Sequence, residues 1–131
     1  MDVDDKRVRI VFLDDSEDLR EAMRVLLETA LGVECMCFGS LMELEERSNE
    51  ALDARMAILD INLGPGVPSG LDAFRWLNDQ GFRGKVLFFT GHARTNPDVR
   101  LALERGAQVL EKPLQPDRLI ALLTRALDEA S

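Results

Sequence analysis

Cysteine is scarce in this chain. Two occur, Cys35 and Cys37, both in the run VECMCF. On a strand, residues two apart share a face, and that geometry does not suit a disulfide. No third or fourth metal ligand lies near, so a C-x-C metal site is not expected. The pair reads as two small buried hydrophobes. Basic runs are also missing. Lys and Arg number 16 against 24 Asp and Glu, a formal net charge of −8. Direct nucleic-acid binding is therefore not expected. No apolar stretch approaches a membrane span, so no membrane insertion is expected. The opening residues Met1–Asp5 are acidic and no apolar segment of signal length follows them, unlike a secretory signal. A cytoplasmic chain is the expectation. Internal repeats, linkers and a second-domain boundary are absent. The 131 residues suit one domain over 1–131, with an ordered core of about residues 7–129.

What the chain does have is a set of short apolar runs with chemistry at their ends. VRIVFL leads into Asp14 and Asp15, MAIL into Asp60, VLFF into Thr90, and VLE into Lys112 and Pro113. Runs this short, rich in β-branched and aromatic residues, read as strands buried on both faces of a parallel sheet. Strands are predicted at Arg7–Leu13, Val33–Phe38, Met56–Ile61, Lys85–Thr90 and Gln108–Glu111. Helices are predicted from Ser16 to about Leu31, Ser40 to about Ser48, Leu71 to Gln80, Pro97 to Gly106, and Pro116 almost to the end. Ser16 is placed to cap the first helix and Gly32 to end it. Its apolar face is Leu19, Met23, Leu26, Leu27 and Ala30. Ser40 with Glu43 forms a capping box. Gly81 stops the third helix, and Pro97 suits a first turn. Five strand–helix alternations call for an α/β fold, a doubly wound (βα)5 domain. Its five-stranded parallel sheet would have right-handed crossovers and helices on both faces.

Open sheets of this kind bind ligands at the carboxyl ends of their strands. Asp14, Asp15, Asp60, Thr90 and Lys112 should therefore converge on one pocket. Three carboxylates ask for a cation, and the hydroxyl and ammonium ask for an anion. A Mg²⁺ ion (or Mn²⁺) with a phosphoryl group satisfies both. Two like charges about 5 Å apart repel by roughly 3 kcal/mol at an effective dielectric of about 20. Three acids carry three such terms, more than one ammonium offsets. Singly, each feature is ordinary: an N-cap pair at Asp14-Asp15, turn residues at Asp60 and Thr90-Gly91, a solvated strand end at Lys112-Pro113. Together they would need four coincidences of type and place. The Gly/Pro loop Asn62–Gly70 lacks Gly-Lys-Ser/Thr, so it reads as a rim beside Asp60 and not as a P-loop. The lone His92 falls at the pocket mouth, and Trp76 belongs to the core edge.

Four motifs stand in order, each at a predicted strand end: LDD at Leu13–Asp15, LDIN at Leu59–Asn62, TGHA at Thr90–Ala93 and EKP at Glu111–Pro113. They resemble those of response-regulator receiver domains, the phosphoacceptor half of two-component signalling. The resemblance runs from Arg7 to Leu127. It implies a flavodoxin-like sheet of strand order 2-1-3-4-5 and Asp60 as phosphoacceptor. It implies Mg²⁺ held by Asp14, Asp15, Asp60 and the backbone carbonyl of Asn62. Lys112 would pair with Asp60 and then with a phosphoryl oxygen, Thr90 would donate to another, and the Gly91 N–H would be a third donor. Asn62 and His92 would tune the phosphoryl lifetime. A histidine kinase or histidine phosphotransfer protein would be the donor, and a downstream effector protein or domain the reader. A weak homodimer through the fourth helix, fifth strand and fifth helix is also implied. Beyond slow autophosphorylation and autodephosphorylation, no enzyme activity is expected.

The chain departs from that family pattern in three places. The loop from Asp60 to Gly70 is slightly longer, which alters the pocket rim. A residue is missing between Gly106 and Lys112, and one is gained before the fourth helix. Val109 stands where Tyr or Phe is common, and the chain has no tyrosine. An aromatic rotamer switch there is therefore unavailable. One rival reading is a Mg²⁺-dependent phosphohydrolase with an aspartyl nucleophile. Enzymes of the haloacid-dehalogenase type carry a second acid two residues after the nucleophile, where this chain has Asn62, and a cap insertion that it lacks. A second rival is a receiver kept only as a non-phosphorylated docking module, against which stands the retention of all five pocket residues.

Overall fold

The computed structural model describes residues 8–61, 69–91, 97–104, 108–112 and 115–130, excepting the side chains of residues 98, 99, 102 and 130. Five strands form one sheet: β1 (Arg9–Leu13), β2 (Glu34–Phe38), β3 (Met56–Asp60), β4 (Lys85–Thr90) and β5 (Gln108–Glu111). Their order is β2-β1-β3-β4-β5, and every neighbouring pair is parallel. The helices are α1 (Glu17–Leu31), α2 (Leu41–Glu46), α3 (Ser48–Ala51), α4 (Gly70–Asp79), α5 (Pro97–Glu104) and α6 (Pro116–Ala130). This is the doubly wound α/β fold, in the strand order the resemblance implied. Among the described residues no helix is long and apolar enough to cross a membrane.

Strand alternation builds two cores, one on each face of the sheet. Val11, Leu13, Leu59 and Phe88 pack with Leu44, Ala51, Leu71 and Leu77 from α2, α3 and α4. Ile10, Phe12, Ile58 and Leu87 face the other way, against Met23 and Leu27 of α1 and Leu119 and Leu123 of α6. With helices on both sides, β3 is buried along its whole length. That is the physical origin of the unbroken apolar runs. Each fully buried Leu, Ile or Phe stabilises by about 1.5–3 kcal/mol, so these two layers carry most of the stability. Trp76 is half-buried at the edge of the first core.

Local chemistry sets the element ends. Ser16 Oγ accepts from the Leu19 N–H at 3.2 Å, and Gly32 closes α1 in the left-handed region at φ 65°. Ala30, expected on the apolar face of α1, is exposed instead. The helix predicted from Ser40 to Ser48 is broken. Arg47 leaves helical geometry at φ −118° and ψ 37°, and α3 resumes at Ser48. Ser48 and Asn49 have lower intrinsic helix propensity than the Leu, Met and Glu residues of α2. The expected capping box is also modified. Ser40 Oγ accepts from Glu43 N–H at 3.2 Å, but the Glu43 carboxylate accepts from Gly39 N–H at 2.8 Å rather than from Ser40. Strands β1, β2 and β3 are a residue or two shorter than predicted, which is within the fraying of element ends. Cys35 and Cys37 are free, as expected, with sulfurs 3.8 Å apart, but only Cys35 is buried. The predicted helix end at Gly106 lies outside the described residues.

The start of α4 holds a complete capping box. Ser69 Oγ accepts from Leu71 N–H at 3.2 Å and Asp72 N–H at 3.4 Å, and the Asp72 carboxylate accepts from Ser69 N–H at 2.8 Å. This box seats Gly70 directly against the end of β3, where its N–H donates to the Ile61 carbonyl at 3.0 Å. A Cβ on Gly70 would stand 2.2 Å from the Asp60 carbonyl oxygen. A Cβ on Gly91 would meet only the Lys112 stem, at 4.0 Å, an ordinary contact. Gly70→Ala is therefore expected to lower unfolding free energy by about 1–3 kcal/mol, as overpacking does. Gly91→Ala is expected to stay within about 0.5 kcal/mol of wild type. Urea denaturation of both variants checks the contrast, and equal stabilities would contradict the close approach.

Candidate functional site

Each side chain of the site is delivered by a strand end. Asp14 follows β1, and its N–H donates to the Phe38 carbonyl at 3.1 Å, prolonging the β1–β2 pairing. Its carboxylate is fully buried. One oxygen accepts from the Ser16 N–H at 2.9 Å, and the other accepts from Lys112 Nζ at 2.6 Å. A buried carboxylate persists as an anion only with such partners. Asp60 ends β3 and is buried, with Oδ2 3.4 Å from Lys112 Nζ. Thr90 ends β4, also buried. Its carbonyl accepts from the Lys112 N–H at 2.6 Å, which fixes where the lysine leaves the sheet. The ammonium then lies 5.2 Å from the centre of the Phe89 ring. Asp15 is exposed at the mouth.

One carboxylate oxygen from each of Asp14, Asp15 and Asp60 lies within 4.8 Å of the others. Opposite ligands of an octahedral Mg²⁺ ion, with oxygens at about 2.1 Å, are about 4.2 Å apart. The three oxygens match that scale with room for water ligands. All the donors are hard oxygens, the type such an ion prefers. Three carboxylates against one ammonium leave two formal negative charges, which a divalent cation offsets. The residues present therefore fit Mg²⁺ or Mn²⁺.

Asp14, Asp60 and Lys112 are brought together by direct ion pairs, and Asp15 joins them as the third acid of the cluster. Thr90 is tied in through the backbone of Lys112. Gly91 lies beside the lysine stem. Lys112 does pair with Asp60, as expected, but its shorter contact is to Asp14. Asn62, His92, Pro113 and most of the Asn62–Gly70 loop fall outside the described residues. Two neighbours of the site escaped the sequence. Gly70 backs onto the Asp60 carbonyl, and the Ser69-x-x-Asp72 spacing would have placed it in a first helical turn. Arg20 of α1 donates from Nη1 to the Asp14 carbonyl at 2.8 Å. Its acceptor is a backbone atom, so no residue pattern signals it.

Residues 10–124 match the family model described as response regulator receiver domain. The C4-dicarboxylate transport transcriptional regulatory protein DctD of Pseudomonas aeruginosa is 30% identical over 128 residues, covering 95% of this chain and 26% of that protein. The transcriptional regulatory protein FixJ of Azorhizobium caulinodans is 30% identical over 123 residues, covering 91% of this chain and 54% of that protein. The chain thus spans about a quarter of one relative and about half of the other. The receiver domain of NtrX from Brucella abortus superposes with a TM-score of 0.77 at 28% identity, covering 91% of this chain and 98% of that one. A response regulator receiver domain protein from Clostridium thermocellum gives 0.78 at 25% identity, with 93% and 95% covered. Sequence family, relatives and fold agree, and the chain belongs to the response regulator receiver domains of two-component signalling.

Proposed function

We propose that this receiver is phosphorylated on Asp60, by a histidine kinase or histidine phosphotransfer protein, with Mg²⁺ or Mn²⁺ bound. The cation would be held by Asp14, Asp15, Asp60 and the backbone carbonyl of Asn62. The observation that carries this is the ammonium of Lys112, set between two buried acids at the carboxyl edge of the sheet. Both oxygens of Asp14 are engaged, by Ser16 and by Lys112. Its role is therefore to hold charge in place, and the longer Lys112–Asp60 contact leaves Asp60 the better nucleophile.

An Asp60 carboxylate oxygen attacks phosphorus. The new O–P bond forms as the P–N bond of the donor phosphohistidine breaks, and its electron pair returns to the imidazole. The bound cation supplies charge neutralisation between the acids and the phosphoryl oxygens. Lys112 donates to one phosphoryl oxygen, the Thr90 hydroxyl to a second and the Gly91 N–H to a third. Water later attacks phosphorus, releasing phosphate and restoring Asp60, with Asn62 and His92 tuning that rate. The phosphohydrolase alternative lacks its proton donor, because Asn62 occupies the position two after Asp60. The docking-only alternative leaves the ion-paired acid cluster without a use. The chain acts in the cytoplasm as a signalling phosphoacceptor. A downstream effector protein or domain reads the α5–β5–α6 face, which also supports a weak homodimer.

Three outcomes are expected. Intact mass after incubation with acetyl phosphate and Mg²⁺ should rise by one phosphoryl group in wild type and stay unchanged in Asp60→Asn; equal labelling of the two refutes the assignment. For the metal, Mg²⁺ at about a hundred times its Kd should add about 2.7 kcal/mol to wild-type stability. Asp15→Ala should lose most of that gain and melt higher than wild type without metal, since like-charge repulsion falls. Thermal melts with and without Mg²⁺ decide this, and an unchanged Mg²⁺ shift in the variant would sink the cation site. For switching, beryllofluoride should alter hydrogen exchange at Gly91 and along α5 with little change at Val109. A hydrogen bond from Thr90 to an anion is worth about 1.5–3 kcal/mol and pulls the end of β4 inward. Changes confined to α1 and α2, with α5 silent, would rule this route out.

A further inference from the structure

The cysteine pair lies away from the acid cluster, and the phosphoacceptor chemistry makes no use of it. We propose that Cys37 is a site of reversible S-thiolation by a low-molecular-weight disulfide that docks in the cleft between α1 and β2. The cleft measures about 600 Å³ and is lined by Glu17, Asp18, Arg20, Glu21, Arg24 and Cys37. That volume accommodates a molecule of tripeptide size. Its walls carry both signs of charge, carboxylates from Glu17, Asp18 and Glu21 and guanidinium groups from Arg20 and Arg24. A zwitterionic thiol with an amine and a carboxylate is complementary to such walls.

The two sulfurs differ sharply in setting. Cys35 is 5% exposed and belongs to the core beneath α1. Cys37 is half-buried and lines the cleft. The sulfurs are 3.8 Å apart, and the Cys37 thiol donates to the Arg20 carbonyl at 3.4 Å, a bond it gives up on ionising. Its hydrogen bond with Cys35, helped by Arg24 and Arg20, holds the Cys37 thiol below the ordinary range against the opposing effects of burial and the Glu21 carboxylate. The same hydrogen bond and its own burial push Cys35 upward. A partly exposed thiol beside cations is the setting in which the thiolate attacks.

The thiolate sulfur of Cys37 attacks one sulfur of the disulfide R–S–S–R. A Cys37 Sγ–S bond forms, the original S–S bond breaks, and RS⁻ leaves and takes up the proton that Cys37 released. A second thiol reverses the step. Collapse to a Cys35–Cys37 disulfide is opposed by the strand. Two strand steps of about 3.3 Å put the Cα atoms roughly 6.6 Å apart, at the upper edge of disulfide geometry. Pairing of β2 with β1 along Glu34–Phe38 holds that extension. No other metal-ligating side chain joins the pair into a cluster of three among the described residues. An adduct would press first on Arg20, whose carbonyl faces Cys37 and whose guanidinium holds the Asp14 carbonyl.

The test is incubation of the folded chain with oxidised glutathione, followed by intact mass and fragmentation mapping of the adduct. Cys37 is expected to react at least about tenfold faster than Cys35 when folded, the selectivity of a reactive over a buried thiol, and at a similar rate in denaturant. Cys37→Ser should abolish the adduct. Mapping on wild type stands even if that variant folds poorly. Equal or reversed rates in the folded chain, an internal disulfide in place of the adduct, or no labelling where the denatured chain is labelled would each overturn the proposal.

Discussion

One ammonium shared between two buried acids sets the terms for the whole carboxyl edge. Lys112 Nζ is 2.6 Å from Asp14 and 3.4 Å from Asp60. Burying a carboxylate without a partner costs several kcal/mol, and Asp14 is completely buried. The lysine and the Ser16 N–H make that burial tolerable. They do not cancel Asp15, which joins the same cluster. The edge is left with excess negative charge, which the cation of the proposed function would balance. Stability comes instead from the two apolar layers, and the site sits on them as a local cost.

The reach of Lys112 explains why the edge needs a lysine. It leaves β5, lies over Phe89 near the end of β4, and arrives between acids that end β3 and follow β1. A long flexible stem with a compact charge can serve both carboxylates. A planar guanidinium would commit to one of them in a bidentate pair. The backbone beneath is equally constrained. Gly70 touches the Asp60 carbonyl closely enough that no side chain fits. The Ser69–Asp72 box fixes the helix start that makes this contact. The acid is thus held from in front by an ion pair and from behind by a helix terminus.

Much of this was legible in the residues, and the boundary between legible and hidden has a physical cause. Asp14, Asp60, Thr90 and Lys112 were visible because each closes an apolar run, and a parallel sheet puts strand ends on one edge. The strand order followed from a family resemblance rather than from periodicity. The break at Arg47 was hidden because Ser40–Ser48 carries a start signal and no stop signal. Ala30 was misplaced because the apolar face of α1 continues from Leu27 to Leu31, which packs against the core, and leaves Ala30 outside it. Gly70 was read as loop because its need for no Cβ comes from Asp60, ten positions earlier in the chain. The Arg20 contact and the preference of Lys112 for Asp14 exist only in three dimensions. Asn62 and His92 were legible as types, and their placement lies outside the described residues.

The absence of an aromatic at position 109 constrains how a signal leaves the site under the proposed function. Val109 pairs in register with Phe88 and packs against the core that holds it. That core is close-packed, and a β-branched side chain has little χ1 freedom. A side-chain swing at 109 therefore has neither a mobile group nor a space to fill. The backbone offers another route. The Thr90 carbonyl holds the Lys112 N–H at 2.6 Å, and Thr90 pairs in register with Glu111. A threonine drawn toward Asp60 must carry the end of β5 with it or break that hydrogen bond. Either result would alter the strand end beside α5, so under the proposed function the displacement would be transmitted by main-chain pairing along β4 and β5 and not by a rotamer.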